Sequence, residues 1–237
     1  MIAEPTAESS AGARVDPAAR RLPELSYFFP VHNEAANLGA LVAEALEALP
    51  DLADRYEIVI VDDGSRDGTP ALADALALAH PEVRAVHHPT NLGYGAALRT
   101  GLGAARYGFI AFTDGDRQFK VAHLGRLIAG LEAAPATGRR RLDLVIGYRI
   151  KRADPMVRTV YANLYRLANR IFFGLSVRDV DCACKLFRRS ALEGIAVESG
   201  GAFFSAELLI KLRASGRRIG EVGVPHYPRT EIGRAHV

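Results

Sequence analysis

From residue 25 onward the chain repeats one pattern: a short apolar run, a polar turn, then an Ala/Leu-rich stretch. Residues 25–31, 57–61, 83–87, 109–113 and 142–147 read as strands. The second, EIVIV, is β-branched enough to be buried on both faces. Between them, residues 35–49, 69–79, 95–107 and 121–133 read as helices. Strand alternating with helix predicts an α/β fold with a mostly parallel central sheet flanked by helices. A further helix is expected over 203–214 and a strand over 218–224, ended by Pro225.

The 237 residues suffice for one large domain with a tail, and 49% hydrophobic with 24% charged residues is ordinary globular composition. Collagen, coiled coil and a wholly disordered chain are excluded. Residues 1–23 have no periodicity and are expected to form a disordered tail ahead of a domain at 24–230. Cys182 and Cys184 stand too close together to clamp a fold and have no second pair for zinc, so they read as packing residues in a reducing compartment. No run approaches the roughly 18 apolar residues of a spanning helix, and the N-terminus lacks a signal-peptide core. The expected location is cytoplasmic.

Charge is unevenly placed. Residues 138–190 hold 13 lysines and arginines against 4 aspartates, although the whole chain carries only +3. Such asymmetry fits an anionic partner or a solvated basic face. Within this segment 158–173 reads as a helix with Val160, Leu164, Leu167 and Ile171 on one side and Arg158, Arg166 and Arg170 opposite. Both a bilayer-surface helix and an ordinary surface helix with snorkelling arginines have that composition.

The sharpest chemical feature is FIAFTDGDRQF, where a strand runs into Asp114, Asp116 and Gln118. In an extended segment these three side chains project to one side. Two carboxylates about 4 Å apart repel by roughly 4 kcal/mol at an effective dielectric of about 20, which invites a cation. Oxygen-only ligands point to Mg²⁺ or Mn²⁺, and a simple polar turn is the alternative. VDDGSRDGT, with Asp62 and Asp63, also follows a buried strand, where open α/β sheets bind ligands; Asp67 and Thr69 read as helix caps. In FFPVHNEAANL, Pro30 stops a strand, and Glu34 taken alone reads as structural. NLGYGAALRTGL places Gly93 and Gly95 at a helix start, where backbone can approach a phosphate.

In this order the four motifs resemble glycosyltransferase family 2, with its GT-A fold, and within it the polyprenyl-phosphate glycosyltransferases of the dolichyl-phosphate mannosyltransferase type. The likeness covers about residues 25–230. It implies inverting transfer from a nucleoside-diphosphate sugar to a polyprenyl phosphate, by a protein peripheral on the inner membrane face. It further implies that Pro30, His32, Glu34, Asp62, Asp63, Gly93 and Asp114 surround the nucleotide sugar. Asp114, Asp116 and Gln118 are then the Mg²⁺ or Mn²⁺ site, with Asp116 and Arg149 catalytic. Gly147-Tyr148-Arg149 resembles the Gly-Ser-Arg element that offers its Arg to the lipid phosphate, and Arg158, Lys185 and Arg188 are further acceptor-phosphate candidates. Transfer to a sugar or protein hydroxyl, with Asp181 or Glu207 as base, and a nucleotide-sugar-binding subunit without turnover are the alternatives. The basic segment lacks a nucleic-acid recognition motif, so no nucleic-acid partner is expected.

Relatives continue past the position of Thr230 with a Gly/Lys-rich loop, whereas this chain ends EIGRAHV. Residues 232–237 are what ATC GGA AGA GCA CAC GTC encodes, the start of a common sequencing adapter. Residues 231–237 are therefore expected to be a non-native extension.

Overall fold

The structure is a computed structural model that describes residues 21–133, 141–150, 173–201 and 203–228. The expected tail up to residue 20, the basic stretch 158–172 with Arg158, and the chain from 229 onward lie outside the described residues. The elements run β1 (Leu22–Val31), α1 (Ala35–Leu52), β2 (Ala53–Asp62), α2 (Thr69–Ala79), β3 (Val83–His87), α3 (Tyr94–Ala104) and β4 (Phe109–Phe112). A 3-10 turn (Val121–His123), α4 (Leu124–Glu132), β5 (Leu144–Arg149), β6 (Lys185–Arg188), α5 (Arg189–Leu192), α6 (Phe204–Ala214) and β7 (Ile219–Val224) follow.

The seven strands form one sheet in the order β3-β2-β1-β4-β6-β5-β7. β1 pairs parallel with β2 and β4, β2 with β3, and β5 with β7; β6 alone runs against its neighbours β4 and β5. The carboxyl ends of all strands but β6 therefore share one edge. Strand order reverses at β1, where the chain passes from β3 on one side to β4 on the other. The usual right-handed crossovers would place α3 on the face opposite α1 and α2, and the ends of β1 and β4 are the switch point at which open α/β sheets form their ligand crevice.

Burial explains where the elements start and stop. α1 buries Leu38, Leu41, Val42, Ala45, Leu49 and Leu52, the spacing of one helical face. It continues past Leu49 through Pro50, because the buried Leu52 holds the last turn against the sheet. β1 starts at Leu22 rather than residue 25: Leu22 is buried and pairs with Ala53. Pro23, which has no N–H to give, is tolerated at the strand's beginning. Phe28, Phe112 and Phe187 form a row of rings across β1, β4 and β6, with centroids 5.2 and 6.0 Å apart. Gly101 lets α3 close onto that row, since a Cβ there would stand 2.1 Å from the Phe28 ring.

Candidate active site

β4 delivers the Asp114-Gly115-Asp116 turn to the crevice. Thr113 is fully buried and shares a 2.6 Å hydrogen bond with the Tyr27 hydroxyl, which fixes the point where the strand ends. Gly115 lies flat against β1; a Cβ there would meet the Pro30 carbonyl oxygen at 2.6 Å. Arg117 takes a left-handed backbone, φ 60°, and so turns the chain back toward Gln118.

Each of the three expected metal ligands has one polar atom tied and one oxygen left open. The Tyr94 hydroxyl donates to Asp114 Oδ1 at 2.8 Å. The Gln118 backbone N–H donates to Asp116 Oδ1 at 3.1 Å. Gln118 Nε2 donates to the Tyr227 carbonyl at 3.1 Å, while the Tyr227 N–H returns a 2.9 Å bond to the Gln118 carbonyl. Among the described residues Asp114 Oδ2, Asp116 Oδ2 and Gln118 Oε1 accept no hydrogen bond. Two carboxylates and an amide oxygen are a hard donor set that suits Mg²⁺ or Mn²⁺ with further oxygens from a diphosphate. Burial and the neighbouring Asp116 charge push the Asp114 carboxyl up to about 6, against the pull of Tyr94, Lys185 and Arg149. That repulsion is what a cation relieves.

Arg149 ends β5 at the same edge. Asp179 grips its guanidinium through two bonds, Nε to Oδ2 at 2.7 Å and Nη2 to Oδ1 at 2.8 Å. Lys185 starts β6 opposite Phe112 and is wholly buried. Its Nζ donates to the Cys182 carbonyl at 2.5 Å and lies 5.5 Å from the Phe112 ring centre. Burial lowers its pKa, and its charged form favours the ionised Asp114 carboxyl. Contact with an acceptor phosphate is closed to a side chain with no exposure, so that expectation is corrected. Arg188 is corrected for another reason. Antiparallel β6 carries it to the far edge, opposite Phe109, where it pairs with Glu132 at 2.5 Å and with the Leu142 carbonyl.

The acids after β2 are already engaged. Asp63 is buried and accepts from His88 Nδ1 at 2.7 Å and from the Leu92 and Gly93 N–H groups at 2.9 Å each. It is an anchor for the loop before α3 rather than an open contact for a nucleotide. Asp62 accepts from the Ser65 N–H and from His87 Nδ1, and His87 Nε2 faces Asp74 Oδ1 at 3.1 Å. Burial disfavours charge on His87, but two carboxylates, one at each nitrogen, raise its pKa. His32 Nδ1 donates to the Asp63 carbonyl. Glu34 Oε2 accepts from Asn37 within the first turn of α1, in keeping with its structural reading. Pro30, His32, Glu34, Asp62, Gly93, Asp114 and Asp116 are thus brought to one edge.

Tyr94, Tyr227, Asp179 and the His87–His88 pair were not singled out from sequence. For the histidines a signal existed: the parallel register Asp62↔His87 sets HH at the end of β3 beside DD at the end of β2. Cys182 and Cys184 are buried and free, as packing residues should be; burial pushes the Cys182 thiol up to about 11.

A reversed α/β sheet with paired acids beyond β4 defines the GT-A class of fold. Residues 26–196 match the model of the family described as glycosyl transferase family 2, and the chain belongs to that family. It is 33% identical, over 95% of its length and 86% of the relative's, to polyprenol monophosphomannose synthase of Mycolicibacterium smegmatis. It is 30% identical, over 87% and 84% respectively, to undecaprenyl-phosphate mannosyltransferase of Micrococcus luteus. Glycosyltransferase AglD of Haloferax volcanii is 30% identical over 87% of this chain, which spans only 33% of that longer protein. Among solved structures, mannosyltransferase PcManGT of Pyrobaculum calidifontis, in complex with GDP-Man and Mn²⁺, shares the fold with a TM-score of 0.63 at 23% identity, over 92% of this chain and 59% of that one.

Proposed function

We propose that the chain transfers a glycosyl group, with inversion, from a nucleoside-diphosphate sugar to a polyprenyl phosphate at a membrane surface. The observation that carries this reading is the trio of open oxygens, Asp114 Oδ2, Asp116 Oδ2 and Gln118 Oε1, at the reversal point of the sheet. The names of the Mycolicibacterium and Micrococcus relatives supply the acceptor class.

Asp114, Asp116 and Gln118 would hold Mg²⁺ or Mn²⁺, which neutralises charge on the departing diphosphate. Pro30, His32, Glu34, Asp62 and Gly93 line the nucleoside side of the crevice. Arg149, kept planar and aimed by Asp179, offers paired N–H donors to the acceptor phosphate. That phosphate has a second pKa of about 6 and is mostly dianionic at neutral pH, so it attacks C1 with no general base. Glu207, the base candidate for a hydroxyl acceptor, is unsuited to that work. It accepts from the Glu198 and Ser199 N–H groups and pairs with Lys211, which together outweigh burial and lower its pKa to about 2.

Leu92, Tyr94, Ile150, Phe203 and Tyr227 are exposed, and all five stand on the carboxyl edge around the crevice. An apolar rim there supports apposition to a bilayer that holds the acceptor. No helix among the described residues is long and apolar enough to cross a membrane. The test is transfer of radiolabelled sugar into a butanol-soluble, mild-acid-labile lipid from a panel of nucleoside-diphosphate sugars with Mn²⁺. Label should enter that fraction with the native chain and fail to with Asp116→Asn. Label entering only a water-soluble product would overturn the lipid-phosphate acceptor.

A further inference from the structure

Tyr94 is the first residue of α3, and its backbone is held from two sides. Before it, Asp63 takes the Leu92 and Gly93 N–H groups, and Gly93 adopts φ 92°. After it, the Gly95 N–H donates to the Gly200 carbonyl at 3.0 Å, an approach so close that a Cβ on Gly95 would stand 2.7 Å from Gly200 C. The 197–200 segment is itself fastened. Arg99 donates to the Val197, Glu198 and Ser199 carbonyls, and Glu207 takes the Glu198 and Ser199 N–H groups.

All this bracing ends in one contact toward the cation site, the 2.8 Å bond from the Tyr94 hydroxyl to Asp114 Oδ1. A carboxylate on a short side chain can rotate to present either oxygen. With Oδ1 occupied by a donor on a fixed helix start, Oδ2 is the oxygen that accepts no hydrogen bond among the described residues and is left for a cation. A hydrogen bond to a carboxylate ligand from outside the ligand set typically governs both its orientation and its affinity for metal.

We infer that Tyr94 is a positioning residue for the cation site: its hydroxyl sets the rotamer of Asp114 and makes cation uptake depend on the braced loop before α3. This rests on the proposed nucleotide-sugar reading of the same site. The ring also belongs to the apolar rim, so the hydroxyl and the ring must be separated by experiment.

The experiment is an electron paramagnetic resonance titration of Mn²⁺ into the full chain with GDP or UDP, comparing the native protein, Tyr94→Phe and Tyr94→Leu. Tyr94→Phe keeps the ring and should leave the melting temperature of the metal-free protein unchanged while weakening Mn²⁺ binding roughly tenfold. Tyr94→Leu should weaken it to the same degree. In turnover the Tyr94→Phe defect should sit in the Mn²⁺ concentration needed for half-maximal rate and be recovered at saturating Mn²⁺. Native Mn²⁺ affinity in Tyr94→Phe, or a loss confined to Tyr94→Leu, would overturn the inference, because the hydroxyl would then have no part. If the native chain takes up no Mn²⁺ with either nucleotide, the nucleotide-sugar reading itself fails and this inference with it.

Discussion

Arg149 and Arg188 show how far a residue's role depends on strand direction. The family resemblance made both acceptor candidates, yet β5 leaves Arg149 at the carboxyl edge and antiparallel β6 carries Arg188 to the opposite edge. Arg149→Ala should therefore raise the KM for polyprenyl phosphate at least tenfold, by removing the phosphate donor proposed above. Arg188→Ala should leave that KM unchanged and cost about 1–3 kcal/mol of stability, through the lost bonds to Glu132 and the Leu142 carbonyl. Steady-state kinetics together with urea denaturation of the two variants checks both expectations. Residues 115–116 turn and Arg117 takes φ 60°, contrary to the extended path expected, so of the Asp114, Asp116 and Gln118 trio only its residue types at a strand end were legible in sequence. The burial of Lys185 was not. A lysine in KLFRR looks like surface until it is known that the strand pairs on both sides.

Among the elements, β3 and α2 occur at the residues read from sequence, since turn residues bound both. β6 was unreadable as a strand: four residues with charge at both ends carry no alternation, and only pairing with β4 and β5 makes them extended. α6 begins one residue later than expected and does more than cover the sheet, because Glu207 in its first turn fastens the 198–199 backbone. The Glu207 carboxyl lies at about 2 in the folded chain against an ordinary 4.5. Its contribution to stability is therefore complete above pH 4.5 and fades as pH falls toward 2. Glu207→Gln should lower the melting temperature most at neutral pH, with the gap to the native chain narrowing below pH 4.5. A scanning-calorimetry series across pH checks the sign; a gap that widens in acid would contradict it.

At the scale of the molecule, the α/β class and the parallel sheet followed from hydrophobic rhythm alone. The braces behind the site did not, because several of them join residues far apart in the chain, as in Asp63 with Gly93, 30 positions apart, and Arg99 with Ser199, 100 apart. The exposed rim also emerges only in three dimensions, since Leu92, Ile150, Phe203 and Tyr227 are exposed apolar residues of four separate segments that the sheet topology brings to its carboxyl edge. The double variant Ile150→Glu with Phe203→Glu should reduce co-sedimentation with liposomes of mixed neutral and anionic lipid several-fold, and leave Mn²⁺ and nucleotide uptake as in the native chain. Equal sedimentation of the two proteins would remove the rim from the account of membrane apposition.

The lone reversed strand has one more consequence. β5 departs from the carboxyl edge at Arg149, and β6 returns to that same edge at Lys185. The two strands thus begin and end their connection at one edge, and the order β3-β2-β1-β4 is set without it. A change in the length of what lies between Arg149 and Lys185 therefore asks no change in the pairing of β1, β2, β3 and β4, the strands whose ends carry the residues proposed to hold the donor.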